Sequence, residues 1–237
     1  MLTFKSMEKI AIASGKGGVG KTSLTLIIAN FLKSKGYKVG LLDADIHGPN
    51  LVQLLVSNSD VSSPKSDEDT NQLVPQIINN FVVNSIDFSM SKEEAAIWRG
   101  PLVSKVIKQL YLNTKWGELD YLLIDMPPGT GDAYLTILDS LEVDKILLVA
   151  VEDDFCISNL HKTCSLINKL NKQSFGIIEN LSENFSLPSS PILSKRIKNE
   201  FDDEILFVLP RLPRNIFYQE VNNLDKLRRY IPENFLI

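Results

Sequence analysis

The chain has 237 residues, of which 44% are hydrophobic and 23% charged, a balance typical of a globular domain that can fill a core. Its formal net charge of −4 disfavours a general electrostatic grip on nucleic acid or anionic lipid, and no apolar run is long enough to span a bilayer. The two cysteines exclude a disulfide framework and favour a reducing compartment, so we expect a cytoplasmic protein.

Apolar runs of strand length alternate with amphipathic segments of helix length. This alternation predicts one doubly wound α/β domain over residues 1–237, with a mostly parallel sheet covered on both faces. Residues 57–72 are polar and rich in serine and acid, which predicts a mobile surface loop inside this domain. The predicted strands are Lys9–Ser14, Lys38–Asp43, Phe81–Phe88, Tyr121–Asp125, Asp144–Val151, Phe175–Glu179 and Ile205–Leu209. The predicted helices are Lys21–Ser34, Leu102–Leu112, Ile157–Leu170 and Ile192–Phe201.

A glycine-rich segment follows the first predicted strand. Residues 15–22 fit the pattern G-x-x-x-x-G-K-[ST] and lie between an apolar strand and an amphipathic helix. Glycines let backbone N–H groups converge on phosphate oxygens, and the next helix directs its positive end at the same anion. Lys21 would supply charge to the β- and γ-phosphates, and Thr22 a hydroxyl to Mg²⁺. The predicted ATP-binding loop comprises Gly15, Lys16, Gly17, Gly18, Val19, Gly20, Lys21, Thr22 and Ser23.

Two carboxylates follow the second predicted strand. Asp43 and Asp45 come at its C-terminal end, where ligands bind in open parallel sheets. Because they are two residues apart, they would point the same way if the chain stayed extended. We assign Asp43 to the magnesium shell and Asp45 to orienting the attacking water, against the alternative of two solvated turn carboxylates. His47 is interpreted as a loop residue, since no second His or Cys lies near it in sequence.

A third carboxylate ends another apolar strand. Residues 121–125 end in Asp125, the Walker B pattern, in which the acid holds Mg²⁺ through water. Residues 126–132 form a turn rich in proline and glycine before a helix. Such a turn is suited to sensing the γ-phosphate by passing between ordered and disordered states.

Several segments together resemble one family. The loop GKGGVGKT, with its early Lys16, resembles the deviant Walker A motif of the MinD, ParA and Mrp class. Four further segments narrow the resemblance to the Mrp-type ATPases, the ApbC-like iron–sulfur cluster carriers, over residues 8–215. These segments are LLDADIHGPN (41–50), WRGPLVSK (98–105), WGELDYLLIDMPPGTGD (116–132) and GIIENLS (176–182).

The resemblance implies a P-loop NTPase fold and Mg-dependent ATP hydrolysis coupled to a conformational cycle. It also implies a homodimer, or a heterodimer with a related ATPase, that passes a labile 4Fe–4S cluster to apoprotein clients. Lys16 would reach the partner's phosphates and act with Lys21 and Asp45 in catalysis, and Asn180 would read the adenine. For residues 98–101, physical chemistry predicts only a helix start with Pro101 in the first turn.

The chain departs from the family in its cysteines. The family places a CxxC pair after ENLS, but residues 183–191 here contain no cysteine, and serine is a poor substitute for thiolate in an iron–sulfur site. Cys156 and Cys164 are eight residues apart, which on a helix separates them by roughly 12 Å along the axis, too far to chelate as CxxC does. The chain would then be a partner subunit, a carrier with ligands from another protein, or an ATPase with another client.

Two other function classes are open to a P-loop chain. A MinD- or ParA-like spatial-organisation switch without a cluster is the main alternative, although Pro232 would end a C-terminal membrane helix after about two turns. Nucleic-acid binding is disfavoured by the acidic balance, and a small-molecule kinase by the lack of an arginine-rich lid. The sequence therefore favours a carrier ATPase over these alternatives.

Overall fold

The computed structural model describes residues 6–56, 65–67, 70, 72–88, 98, 100–182, 201, 204–211 and 230–236. Eight strands form one sheet, in the order Ile205–Pro210, Gly176–Ser182, Lys145–Ala150, Glu8–Ala13, Tyr121–Asp125, Val39–Asp43, Phe81–Ser85 and Gln76–Ile78. The strand Val39–Asp43 pairs parallel with both of its neighbours, and Gly176–Ser182 pairs parallel with both of its own. Within this sheet, the edge strand Gln76–Ile78 is antiparallel to Phe81–Ser85. The predicted doubly wound, mostly parallel fold is confirmed.

The strands are β1 Glu8–Ala13, β2 Val39–Asp43, β3 Lys65–Ser66, β4 Leu73–Val74, β5 Gln76–Ile78, β6 Phe81–Ser85, β7 Tyr121–Asp125, β8 Lys145–Ala150, β9 Gly176–Ser182 and β10 Ile205–Pro210. The helices are α1 Lys21–Ser34, α2 Leu51–Leu55, α3 Gly100–Leu112, α4 Asp132–Ser140 and α5 Asp154–Lys169, with a 3-10 turn at Ile86–Phe88. None of the described helices has the length and apolar character needed to cross a bilayer.

The chain divides into two compact units. The first unit comprises residues 1–11, 32–127 and 131–144, and the second comprises 12–31, 128–130 and 145–237. The single-domain interpretation of 1–237 stays a prediction. The predicted loop 57–72 falls mostly outside the described residues, and its described part includes β3, which pairs antiparallel with β4. The predicted helix Ile192–Phe201 lies outside the described residues except at Phe201.

The first unit is built around β2 and β7. All five residues of each strand are buried, as expected of central parallel strands with both faces covered. Their register sets Asp43 directly opposite Asp125, so both strands end on a carboxylate at the same edge. On the other side of β2, Asp43 is paired with Ser85 of β6. This register brings two of the predicted magnesium residues together.

The second unit contains α1 as far as Phe31, together with α5 and the strands β8, β9 and β10. Helix α1 begins and ends where the sequence predicts, and its predicted apolar stripe is buried, at Leu24, Ile27, Ile28, Phe31 and Leu32. Near the C-terminus, Phe235 is buried against Phe31 and Phe207, with ring centroids 6.3 Å and 5.0 Å away. Residues 222–229 of the predicted tail helix lie outside the described residues.

Candidate functional site

The phosphate loop occupies residues 14–20, between the end of β1 and the start of α1. Gly18 and Gly20 have φ angles of +78° and +93°, a region that favours glycine. A Cβ on Gly15 would lie 2.6 Å from the backbone carbonyl of Asn159 in α5, so glycine is needed for the loop to approach this helix. The first turn of α1 carries no acid, which leaves its positive end available to an anion.

Asn180, which lies on β9, forms a hydrogen bond with the backbone of the phosphate loop. Its side-chain amide is buried and donates a hydrogen bond of 2.7 Å to the Val19 carbonyl. A Cβ on Gly20 would collide with the same amide nitrogen. Sequence reasoning assigned Asn180 to the adenine, whereas the structure gives its amide nitrogen a contact with the loop backbone. The adenine contact stays a prediction.

Replacing Gly20 with alanine should destabilise the protein more than replacing Gly18. Both changes force alanine into positive φ, at about 1–2 kcal/mol each. Only Gly20→Ala adds a collision, whereas a Cβ on Gly18 meets nothing within 4 Å. We expect the free energy of unfolding from urea titration to be lower for Gly20→Ala by a further ~1 kcal/mol or more.

The double variant Gly20→Ala/Asn180→Ala identifies the cause of that difference. It removes the colliding amide, so its destabilisation should be smaller than the sum of the two single changes. Equal stability of Gly18→Ala and Gly20→Ala, or strict additivity in the double variant, would contradict the described loop geometry.

Lys16 forms an ion pair with Asp153 of the same chain. Its ammonium lies 3.0 Å from Oδ1 of Asp153, and the two side chains are about 40% exposed, at 40% and 38%. Asp153 also caps α5 by accepting a 2.8 Å hydrogen bond from the Cys156 N–H. The hydrogen bond from Lys16 lowers the pKa of the Asp153 carboxyl, and the Cys156 N–H acts in the same direction. Lys16 would have to leave Asp153 before it could reach a partner's phosphates.

Sequence reasoning missed Asp153. A signal was present, because residues 152–154 are three consecutive acids directly after the buried strand β8. An acid at that point, followed by an amphipathic run, is a helix-cap pattern, and parallel strands direct such residues to the ligand edge of the sheet. A cavity of ≈ 400 Å³ is lined by Lys16 and Asp153 together with Val151, Leu181 and Arg211.

The three predicted carboxylates lie in the first unit. Asp43 is fully buried, and it accepts hydrogen bonds of 3.2 Å from the N–H groups of Asp45 and Leu51. Burial raises its pKa well above the usual range for an aspartate, and the nearby charge of Asp125 raises it further. Two buried carboxylates at the ends of adjacent strands are stabilised by a divalent cation, and oxygen ligands suit Mg²⁺. The donor set of Asp43 and Asp125 therefore fits magnesium.

Asp45 is placed differently from Asp43. Strand β2 ends at Asp43, two residues before Asp45. Asp45 is half-buried and accepts a 3.2 Å hydrogen bond from the Gly48 N–H. This arrangement leaves one carboxylate buried at the strand end and another nearer solvent. His47 is exposed, as expected of a loop residue.

The two cysteines both lie on α5, eight residues apart. Cys156 is buried in the first turn of α5, where its Sγ accepts a 3.4 Å hydrogen bond from the Val151 N–H and burial raises the pKa of the thiol. Cys164 is half-buried further along the same helix. Across the part of the chain that the structure describes, no group of three or more His, Cys, Asp or Glu residues is arranged to hold a metal ion.

Comparison with known proteins identifies the family. A family model described as ParA, NUBPL iron-transfer P-loop NTPase, matches residues 5–199. An iron–sulfur cluster carrier protein of Rickettsia felis is 38% identical over 205 residues, which is 86% of this chain and 62% of that protein. One of the same name from Pyrococcus horikoshii is 38% identical over 181 residues, 73% of this chain and 61% of that protein. The chain thus spans about three fifths of the length of these relatives.

Solved structures agree on the fold. A nucleotide-binding protein of Archaeoglobus fulgidus, in complex with ADP, has a TM-score of 0.73 at 26% identity and covers 97% of this chain and 91% of its own. The cell division ATPase MinD of Pyrococcus furiosus has a TM-score of 0.65 at 23% identity, covering 90% and 88%, and this likeness shows the fold alone. Since the family model covers most of the sequence, the chain belongs to the NUBPL-type iron-transfer family of ParA-like P-loop NTPases.

Proposed function

We propose that this chain binds and hydrolyses Mg-ATP as a dimeric switch in the assembly or transfer of iron–sulfur clusters to apoproteins. The observation that carries the proposal is the phosphate loop, whose two positive-φ glycines and Asn180 contact give a preformed cradle of backbone N–H groups. The family match and the names of the relatives support iron–sulfur transfer as the use of that switch. The family match and the names of the relatives favour iron–sulfur transfer over a MinD-like spatial-organisation switch.

Each predicted site residue keeps a proposed role. Lys21 neutralises the β- and γ-phosphates, and Thr22 in the half-exposed first turn of α1 binds Mg²⁺. Asp43 and Asp125 complete the magnesium shell, and Asp45 orients the attacking water. Bound to these residues, Mg²⁺ would supply positive charge that offsets the negative charge developing during hydrolysis.

Dimerisation is part of the proposal because of Lys16. While Lys16 pairs with Asp153, its ammonium is neutralised by a carboxylate of the same chain. An ion pair between side chains this exposed contributes at most about 1 kcal/mol, so it can be exchanged for a contact with phosphate. In the proposed cycle, Lys16 leaves Asp153 and contacts the phosphates of ATP bound to the partner. The partner is an identical chain or a related ATPase.

The cluster is cargo, and its thiolate ligands are proposed to come from outside this chain. Residues 183–191 lack cysteine, and Cys156 is buried with a raised pKa, which disfavours the thiolate that iron requires. The chain then acts as the nucleotide switch of a carrier, with a partner subunit or client protein supplying sulfur ligands.

Anaerobic reconstitution tests this proposal. The purified chain is incubated with ferrous iron and sulfide, with and without Mg-ATP, and absorbance near ~400 nm reports any 4Fe–4S cluster. We expect no stable cluster on the chain alone, and we expect the chain with Mg-ATP to accelerate transfer from a preloaded 4Fe–4S donor protein to an apo-acceptor. If the chain alone formed a stable cluster, and Cys156→Ser or Cys164→Ser abolished it, the proposal that the sulfur ligands come from another protein would be contradicted. Transfer that is insensitive to the chain would contradict the iron–sulfur role.

A further inference from the structure

The first half of α3 contains most of the motif WRGPLVSK (98–105), to which the proposed nucleotide chemistry assigns no role. Val103, Ile107 and Leu110 bury one side of this helix. The opposite side presents the α3 face, defined as Pro101, Leu102, Lys105, Lys108 and Leu112, all of which are exposed. Its two leucines are 43% and 63% exposed.

Among the residues that the structure describes, the positive charge of the α3 face is not paired with acidic side chains. Helix α3 contains no acidic residue, although the whole chain has more acids than bases. Lys105 and Lys108 lie one turn apart, and neither forms an ion pair with another described residue, whereas Lys9 and Lys38 each pair with a glutamate. Like charges at this spacing repel each other and destabilise a helix slightly. A ligand that brings negative charge would relieve that repulsion.

An open groove runs along the same side of the helix. It has a volume of ≈ 360 Å³, and its lining includes Pro101, Lys105, Lys108 and Leu112 together with Ser104 and Gln109. The face thus presents apolar side chains at both ends and two lysines between them, over about 15 Å of helix. A complementary ligand has apolar groups at its ends and negative charge in the middle.

We propose that the α3 face binds an acidic amphipathic segment of a partner protein. An extended or helical peptide with apolar side chains flanking two carboxylates matches the groove in both charge and polarity. Nucleic acid fits less well, because phosphates offer nothing to the exposed leucines and the chain carries a net charge of −4.

The face is also connected to α4. Thr136 of α4 donates a 2.7 Å hydrogen bond to the Ser104 hydroxyl, and a Cβ on Gly100 would collide with the Asp132 carboxylate. Asp132 ends the turn 126–132, whose proline and glycine content suits it to sensing the γ-phosphate. This link rests on the proposed ATP-driven switch, and it makes partner binding at the α3 face dependent on bound nucleotide. The docking surface itself does not rest on it.

A designed peptide tests the docking surface directly. The probe is a fluorescein-labelled helical peptide with leucines at both ends and glutamates one turn apart in the middle, measured by fluorescence anisotropy without nucleotide. We expect saturable binding that Lys105→Glu/Lys108→Glu weakens by roughly tenfold or more. The control Lys162→Glu/Lys169→Glu makes the same change in net charge on exposed residues of α5, and should stay within about twofold of wild type.

Charge exchange makes the test specific. A peptide with lysines in place of its glutamates should bind the Lys105→Glu/Lys108→Glu variant and not the wild type. No binding, equal loss in both double variants, or tighter binding of a single-stranded oligonucleotide would overturn the proposal. Because these measurements contain no ATP, they stand apart from any failure of hydrolysis. Repeating them with Mg-ATP should change the affinity, and an identical affinity would overturn the link through α4.

Discussion

Replacing Lys21 with alanine should lower the rate of ATP hydrolysis by at least ~100-fold, because it removes the lysine charge from the phosphates in the transition state. Lys21 opens α1 and is only 8% exposed, so its ammonium is held at the start of the helix that follows the phosphate loop. Phosphate release at saturating Mg-ATP gives the turnover, and a fluorescent ATP analogue gives the affinity. We expect both to fall.

Lys38→Ala is the matched control. It removes the same charge from an exposed side chain that pairs with Glu118 at 3.4 Å, outside the phosphate loop. Exposed pairs contribute at most about 1 kcal/mol, so turnover should stay within about twofold of wild type. Near-normal hydrolysis by Lys21→Ala, or an equal loss in the control, would refute the role of Lys21.

Replacing Asp45 with asparagine should lower turnover by roughly 10²- to 10³-fold while nucleotide affinity is kept. Asparagine retains an oxygen that can accept the hydrogen bond from the Gly48 N–H, so the turn is expected to persist. What is lost is the negative charge needed to orient and polarise the attacking water. Turnover and affinity measured on the same preparation separate this effect from a loss of binding.

The exposed Asp139 of α4 provides the control for this change. Asp139→Asn removes one carboxylate charge from a surface position and should leave turnover unaffected. If Asp45→Asn instead lost affinity and turnover together, Asp45 would act in the magnesium shell or in folding of the loop. Unchanged turnover would exclude Asp45 from the reaction.

The sequence could predict elements whose patterns are long and well bounded. Helix α1 begins where the glycines end, and its five-residue apolar stripe fixes the buried side, so both ends were predicted. The strand predicted over Phe81–Phe88 ends at Ser85, because Ile86–Phe88 turn into a 3-10 helix. Helix α5 begins three residues earlier than predicted, since Asp153 caps it. Helix α2 was not predicted, because Leu51–Leu55 is too short to show a helical period.

The candidate site was predictable in its residue types but not in its contacts. The glycines and Lys21 follow from local spacing. The Lys16–Asp153 pair joins residues 137 apart, and the Asn180–Val19 hydrogen bond joins residues 161 apart. No local pattern encodes such separations, because they depend on how β8 and β9 are ordered in the sheet. The register of Asp43 opposite Asp125 likewise requires the strand order.

Magnesium-dependent hydrolysis of ATP by the purified chain tests the central claim most directly. Phosphate release is followed under single-turnover conditions with excess Mg²⁺, with EDTA, and for the Lys21→Ala variant. We expect phosphate release with excess Mg²⁺, and we expect it to be lost with EDTA and in the Lys21→Ala variant. No release from the wild-type chain with Mg²⁺, or equal release with EDTA, would contradict the proposal that this chain is a Mg-dependent ATPase.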